Sequence, residues 1–200
     1  MSKMLGRLLD DVFLKNYVVG SYSTACAKGF HDVELSIPHF LMLVVSELGE
    51  AIEADRCSRR ADMIAFEERI HVYPDEVERF RAYVKDSVED ELADVCIRLF
   101  DLCGTLGIYP CFDSFDDVYE IYRGQLRGKS FCEQCYYLSC CFFEYDYGDS
   151  DNVVRVPHCV GTALCLLFCM AEDMGIDMWR HIDMKMKYNS RRIYRHGKLY

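Results

Sequence analysis

The sequence feature that most constrains the fold is an apolar stripe in the middle of the chain. Apolar residues recur there at alternating steps of four and three: Val88, Leu92, Val95, Leu99, Leu102 and Leu106. This spacing places them on one face of a helix of about five turns, and such a face must be buried against other elements. Strand-like alternation is scarce elsewhere, although the aromatic run CYYLSCCFFEYDY leaves room for it. We therefore predict an all-α fold.

Other helices are predicted from the same periodicity and from helix-terminal signals. Three Asp or Ser residues are each followed at the third position by an acid, a spacing typical of helix N-termini: Asp86 with Glu89, Ser114 with Asp117, and Ser130 with Glu133. Pro74 suits a first helical position, and Gly104, Gly107 and Pro110 are typical of a helix end and the loop after it. Helices are predicted near residues 3–28, 38–57, 61–69, 75–84, 87–105, 115–127, 131–144, 153–173 and 177–193.

Length and composition fit one globular domain spanning residues 1–200. The chain is 51% hydrophobic and 28% charged, which is enough for a single core. No apolar run approaches the ~18 to 20 residues that a membrane span needs, so no membrane association is expected. The N-terminus has acids within its apolar pattern and no small-residue cleavage site, which favours a cytoplasmic protein. Its twelve cysteines are then expected to be reduced thiols.

Charge is unevenly distributed along the chain. The net charge of -10 argues against a general nucleic-acid binder, yet residues 180–200 contain seven Lys or Arg residues and one Asp. A basic segment on an acidic body suggests phosphate binding near a cation site. The alternative is a solvated C-terminal tail.

Two pairs of carboxylates suggest where that cation would bind. Glu47 and Glu50 are one helical turn apart and follow the apolar run FLMLVV, and Glu91 and Asp94 repeat this spacing in the central helix. If the two helices pack antiparallel, four oxygen ligands would surround one space. Oxygen-only ligands favour Mg²⁺ or Mn²⁺ over zinc. The alternative is that these acids lie on solvated faces.

Three motifs together resemble a known family. ELGE at residues 47–50, EDELADV at 89–95 and KMKYNSRRIYRHGK at 185–198 resemble the MazG-type nucleoside triphosphate pyrophosphohydrolases of the all-α NTP pyrophosphatase superfamily. The resemblance implies a four-helix-bundle-like core and assigns Glu47, Glu50, Glu91 and Asp94 as metal ligands. Either Glu47 or Glu50 could instead orient the attacking water as a general base. Ser46 stands where many members have a further glutamate, which leaves the number of metals open.

The resemblance also implies a reaction and an assembly. Mg²⁺ or Mn²⁺ would bind a (d)NTP and position a water that attacks between the α and β phosphates, giving (d)NMP and pyrophosphate. The nearest alternatives are dUTPase-like and phosphoribosyl-ATP pyrophosphohydrolase activities, and the base and sugar preference stays open. Members generally form homodimers or homotetramers. Residues 57–85 would be a helical insertion, and residues 109–150 match nothing in the family.

The resemblance assigns substrate contacts to two further segments. Lys185, Asn189 and Arg192 share one helical face with Tyr188 beside them, and would bind phosphate or sugar. Tyr188 is equally consistent with core packing. Phe30 and His31 are candidates for base stacking, with a buried aromatic and a surface histidine as alternatives. Four more residues are weaker candidates: Asp101 as a partner of the metal ligands, and His196, Gly197 and Lys198 as a closure over the nucleotide.

A competing hypothesis concerns the cysteines. Cys132 and Cys135, followed by Cys140 and Cys141, have some likeness to a zinc or redox site. The segment SFCEQCYYLSCCFF is, however, typical of a capped helix, whereas zinc ligands usually lie in turns. A zinc-binding interaction module is therefore the non-enzymatic alternative.

Overall fold

The computed structural model describes residues 2–143 and 152–197, except for the side chains of residues 152–154, 196 and 197. The described residues form helices, turns and loops without a strand, so the predicted all-α class is confirmed. The α-helices are α1 (Lys3–Gly6), α2 (Asp11–Ala27), α3 (Ile37–Arg56), α4 (Met63–Glu68), α5 (Glu76–Tyr83), α6 (Val88–Leu106), α7 (Phe115–Ile121), α8 (Phe131–Cys140), α9 (Asn152–Asp173) and α10 (Met178–Arg191).

Helix α6 lies at the centre of the molecule. It packs mainly against α3, α2 and α10, and it also contacts α9. The predicted stripe is buried from Val88 to Leu102, where its five side chains have no solvent exposure, while its last residue, Leu106, is partly buried. Each such side chain stabilises the fold by about 1.5 to 3 kcal/mol relative to an exposed one. The same helix therefore anchors the core and carries Glu91 and Asp94.

The helix predicted over residues 3–28 is broken in the structure. It consists of α1, a 3-10 turn at Arg7–Leu9, and α2. The break occurs at Asp10, which has an extended backbone and whose carboxylate accepts a hydrogen bond from the N–H of Phe13 at 3.0 Å. Asp10 thus begins a new helix with a side-chain cap, which periodicity alone does not indicate.

The predicted helix starts are partly correct. Ser130 and Glu133 form the predicted capping box at the start of α8. At α6, however, the N-cap is Ser87, whose hydroxyl accepts from the N–H of Asp90 at 3.2 Å. Asp86 has a positive φ of 63° and lies outside the helix. Ser114 precedes α7 without a side-chain capping hydrogen bond.

Two groups of helices flank the central packing. In the segment 57–85, α4 and α5 pack together, and α5 contacts α10 around a small second core that contains Phe80 and Tyr188. In the segment 109–143, α7 continues into a π-helical turn at Tyr122–Leu126 and packs against α9, as does α8. The end of the cysteine- and tyrosine-rich segment, residues 144–150, lies outside the described residues.

One helical segment could span a membrane by its length and composition, whereas the sequence analysis expected none. Arg155–Asp173 is 19 residues long with a mean hydropathy of 1.3, which is long and apolar enough by those two measures. Within the fold, 67% of the segment is buried against other parts of the chain. Core helices of soluble proteins have the same character, so this segment is weak evidence for a membrane span.

Candidate functional site

Three of the four predicted metal ligands lie together between α3 and α6. Carboxylate oxygens of Glu47, Glu50 and Glu91 are all within 4.8 Å of one another. Glu47 pairs with Arg98, late in α6, while Glu50 lies beside Glu91, early in α6. The two helices therefore run antiparallel, which is the arrangement that brings the two acidic motifs together. Glu47 and Glu91 are each 5% exposed, whereas Glu50 is exposed.

Arg98 balances part of this negative charge. Its Nε and Nη2 atoms lie 3.1 and 3.0 Å from Oε1 of Glu47, and its guanidinium is 5.9 Å from the centre of the Phe30 ring. Charge-assisted hydrogen bonds of this kind fix the carboxylate in one orientation. Glu47 is thus held in place at the edge of the acidic group.

Glu91 is the most perturbed acid of the group. Burial raises the pKa of Glu91 from its usual 4.5 to about 8; Lys185 opposes this shift, while the carboxylates of Asp90, Asp94 and Glu50 add to it. Near neutral pH the metal-free protein therefore keeps a proton on Glu91. A divalent cation bound there would replace that proton.

The raised pKa predicts how the stability of the metal-free protein depends on pH. Between pH 4.5 and about 8 the folded state keeps the Glu91 proton while the unfolded chain has released it. The folded state binds more protons in this window, so the free energy of unfolding should fall as pH rises. Glu91→Gln should remove this contribution and be more stable at pH 8.5, by on the order of 1 kcal/mol. Denaturant unfolding in chelator at pH 5 and pH 8.5 measures the effect. Equal pH dependence in the parent and the variant would contradict it.

The fourth predicted ligand, Asp94, is paired with Lys185. The Nζ atom of Lys185 lies 2.6 Å from an oxygen of Asp94 and 2.6 Å from an oxygen of Asp90. Burial alone would lower the pKa of Lys185, but these two carboxylates outweigh it and hold the pKa above its usual value. Lys185 is only 4% exposed, so it is positioned as the internal counter-ion of α6 rather than as an exposed phosphate contact.

Asp90 was not singled out in the sequence, yet its side chain is completely buried. Its other oxygen accepts from the N–H of Asp86 at 2.9 Å. Burial raises the pKa of Asp90 to about 6, Lys185 opposes this shift, and Asp94 adds to it. Asp90 therefore ties the start of α6 to α10.

A cavity of about 80 Å³ adjoins the acidic group. Glu47 and Asp94 lie at its edge. The remaining lining comes from α2, the loop after it, α6 and α10, and consists of Ser21, Thr24, Ala25, Lys28, Phe30, Ile97, Arg98, Asp101, Met186, Asn189 and Arg192. The cavity thus combines aromatic and aliphatic side chains with several polar and basic groups, as small-molecule sites do.

Two polar atoms in the cavity lining are buried without a hydrogen-bond partner among the described residues. They are the hydroxyl of Ser21, a residue 2% exposed, and the side-chain oxygen of Asn189. Buried polar groups are nearly always paired, and those left unpaired are destabilising by about 1 to 3 kcal/mol. A bound molecule that supplies a donor to each atom would remove this penalty. Asn189, one of the predicted substrate contacts, thus lines the cavity with its side-chain oxygen available to a bound molecule.

Phe30 and His31 occupy different environments. Phe30 lines the cavity, whereas Nε2 of His31 is 2.8 Å from an oxygen of Asp101 and its ring stacks on Phe40. Burial raises the pKa of Asp101, and the hydrogen bond from His31 opposes that shift. His31 is thus engaged with Asp101, which in turn lies in the cavity wall and away from the three-carboxylate group.

Tyr188 and Arg192 also occupy different environments in the structure. Tyr188 is 6% exposed and packs on Phe80 with ring centres 5.0 Å apart, so it belongs to the second core and does not line the cavity. Arg192 lines the cavity, with its guanidinium 5.7 Å from the centre of the Tyr188 ring. The Tyr188 ring therefore lies beside the Arg192 guanidinium without lining the cavity itself.

The chain after α10 folds over the loop that carries Phe30. The N–H of Arg195 donates to the carbonyl of Lys28 at 3.0 Å, its Nε donates to the carbonyl of Gly29 at 3.1 Å, and the Tyr194 hydroxyl contacts Asp32. These contacts fix the position of the loop from which Lys28 and Phe30 line the cavity. The candidate closure by His196 and Lys198 lies outside the residues whose side chains are described, and so does Gly197 between them.

One of the site residues that the sequence analysis did not predict has a signal in the sequence. Arg98 is four residues after Asp94 and seven after Glu91, so it lies on the same helical face as both acids. Asp90 and Ser21 had no comparable signal. Asp90 looks like one more acid of a helical first turn, and Ser21 looks like an ordinary helical serine.

The cysteines of the competing hypothesis lie on α8 or just after it. Cys135 is buried, Cys132 is exposed, and Cys140 and Cys141 are intermediate. Within residues 2–143 and 152–197, these four cysteines do not contribute to any group of three or more metal-ligand atoms within 4.8 Å. The hypothesis of a zinc module built on them gains no support from the geometry.

Comparison with known proteins gave no relative. No family, curated protein or solved structure matches the chain. The site must therefore be interpreted from its own residues.

Proposed function

We propose that the chain is a metal-dependent nucleoside triphosphate pyrophosphohydrolase, which cleaves (d)NTP between the α and β phosphates. The observation that carries the proposal is the gathering of Glu47, Glu50 and Glu91 within 4.8 Å beside a cavity with basic side chains. A metal-dependent hydrolase of nucleoside triphosphates uses both parts: the cation neutralises phosphate charge and activates water, and the pocket positions the nucleoside.

The donor set suits Mg²⁺ or Mn²⁺. It consists only of carboxylate oxygens, which hard cations prefer. A cation bound there would neutralise phosphate charge and make its bound water more acidic. Glu50 is exposed to solvent, whereas Glu47 is buried and oriented by Arg98. Either could accept the proton of the attacking water.

The cavity is too small for a whole nucleoside triphosphate, so only part of the proposed substrate would lie inside it. About 80 Å³ is well below the roughly 300 to 1,000 Å³ of typical ligand pockets. In this proposal the cavity takes the base or sugar, with Ser21 and Asn189 as its hydrogen-bonding groups. The phosphates lie across the carboxylates towards solvent, with Lys28 and Arg192 supplying positive charge. A second copy of the chain, in a homodimer or homotetramer, would enlarge the pocket.

A pyrophosphate-release screen tests the proposal. Each of the eight common (d)NTPs is incubated with the full chain and Mg²⁺ or Mn²⁺, together with dUTP and phosphoribosyl-ATP for the two nearest alternative activities. We expect nucleoside monophosphate and pyrophosphate in equal amounts from at least one substrate, and none after chelation. Release of inorganic phosphate alone, or no turnover of any substrate, would contradict the proposal.

Arg192→Ala should raise the KM for the triphosphate with little change in stability. A charged hydrogen bond to phosphate contributes about 1.5 to 3 kcal/mol, so KM should rise by about tenfold or more. Arg191→Ala is the matched control, because Arg191 is exposed and pairs with Asp75 away from the cavity. Steady-state kinetics of both variants measure the difference. Equal KM values in the two variants would place Arg192 outside the substrate site.

A further inference from the structure

A second group of metal-ligating side chains lies away from the acidic site, where the loop after α6 meets α9. It consists of Cys111 and Asp113 in the loop and His158 on α9, with ligand atoms all within 4.8 Å of one another. A thiol, a carboxylate and an imidazole differ in chemistry from the oxygen-only group formed by Glu47, Glu50 and Glu91. These are the three ligand types that proteins use for zinc.

The backbone of Cys111 is held against the same helical turn that carries His158. The N–H of Cys111 donates to the carbonyl of Pro157 at 2.9 Å. At Gly161, one turn later, an added Cβ would lie 1.8 Å from the Cys111 carbonyl oxygen, so only glycine permits this approach. Both contacts are independent of the side chains of the group. They fix the distance between the loop and the helix before any metal binds.

The sequence spacing and the exposure also suit a metal. Cys111 and Asp113 are two residues apart in an irregular loop, where successive ligands can turn towards one ion. Asp113 and His158 are exposed and Cys111 is half-buried, so an ion can reach the group from solvent. Three protein ligands leave a fourth tetrahedral position for water.

We propose that Cys111, Asp113 and His158 form a binding site for Zn²⁺ or a similar borderline-soft divalent cation. Binding releases the thiol proton of Cys111 to solvent and leaves the thiolate on the metal. The bound ion joins the loop between α6 and α7 to the first half of α9. This site is separate from the proposed pyrophosphohydrolase function and does not depend on it.

Cobalt serves as the spectroscopic probe for the site. The full chain is freed of metal with chelator under reducing conditions and titrated with Co²⁺ in excess Mg²⁺, which occupies sites made only of oxygen ligands. We expect one equivalent to produce a thiolate-to-cobalt charge-transfer band and the visible bands of tetrahedral cobalt, and Zn²⁺ to abolish both. Absence of the charge-transfer band would overturn the proposal.

Variants assign the band to these residues among twelve cysteines. Cys111→Ser should lose the charge-transfer band, and His158→Ala should bind Co²⁺ at least about tenfold more weakly. Cys132→Ser is the matched control, since Cys132 is an exposed thiol on α8 and should leave the spectrum unchanged. Because His158 is exposed, its replacement should not unfold the protein, and circular dichroism checks this. A band retained in Cys111→Ser, or lost equally in Cys132→Ser, would overturn the assignment.

Discussion

Glu50→Gln and Glu91→Gln should each reduce Mg²⁺-dependent pyrophosphate release by about a hundredfold or more. Glutamine keeps the shape of the side chain but loses the charge that holds a hard cation. A hundredfold loss corresponds to about 2.7 kcal/mol of transition-state stabilisation, which is modest for a metal ligand. The rate of pyrophosphate release at saturating nucleotide measures the effect.

Glu53→Gln is the matched control for these variants. Glu53 is on the same helix, one turn after Glu50, but it is exposed and pairs with Arg56. It should keep the parent activity. Added Mg²⁺ should raise the melting temperature of the parent and of Glu53→Gln more than that of Glu50→Gln, because a ligand that binds only the folded state stabilises it. A fully active Glu50→Gln enzyme would eliminate the proposed metal centre.

Lys185→Met should be the most destabilising single substitution among those considered. It would leave the carboxylates of Asp90 and Asp94 without their shared cation, and the side chain of Asp90 is completely buried. Removing one partner of a buried ion pair is destabilising by about 3 to 5 kcal/mol. For a chain of this length, the melting temperature should fall by about 10 °C. Thermal and denaturant unfolding at pH 7 measure the loss.

Two comparisons separate this effect from a general loss of charge. Lys187→Met removes an exposed lysine of the same helix that pairs with Glu76, and should lower the free energy of unfolding by less than about 1 kcal/mol. Adding Asp90→Asn to Lys185→Met should recover part of the stability, since it removes a buried charge. If Lys185→Met is as stable as Lys187→Met but binds nucleotide more weakly, Lys185 is a phosphate contact, as the family resemblance implied.

The regular parts of the fold were predictable because their signals are local. The stripe from Val88 to Leu102 is repeated at helical spacing, so the burial of α6 follows from periodicity alone. The break near Asp10 was not predictable in this way. Apolar residues continue on both sides of it, and the break depends on a single carboxylate that turns back to cap α2.

The candidate site was predictable where helix geometry decided it. The spacing of Glu47 to Glu50, with antiparallel packing, was enough to bring Glu91 to the same place. The role of Lys185 was not predictable, because it depends on which face of α10 meets α6. Sequence spacing grouped Lys185 with Arg192 on one face, yet only Arg192 lines the cavity. Arg192 is the residue after α10 and lies about two helical turns beyond Lys185, so the two side chains meet different neighbours.

The ion pair between Lys185 and Asp90 also bears on the order in which the chain folds during synthesis. The two residues are 95 positions apart, so α6 leaves the ribosome well before the lysine that neutralises it. Until then Asp90 must stay protonated or hydrated, and α6 cannot reach its final packing with the Asp90 carboxylate buried. The loop that carries Phe30 reaches its final position later still, because Arg195, which pairs with Asp32 in this loop, follows it by 163 positions. In a nascent chain of this protein the cavity would therefore form in one of the last steps, after the core helices have packed together.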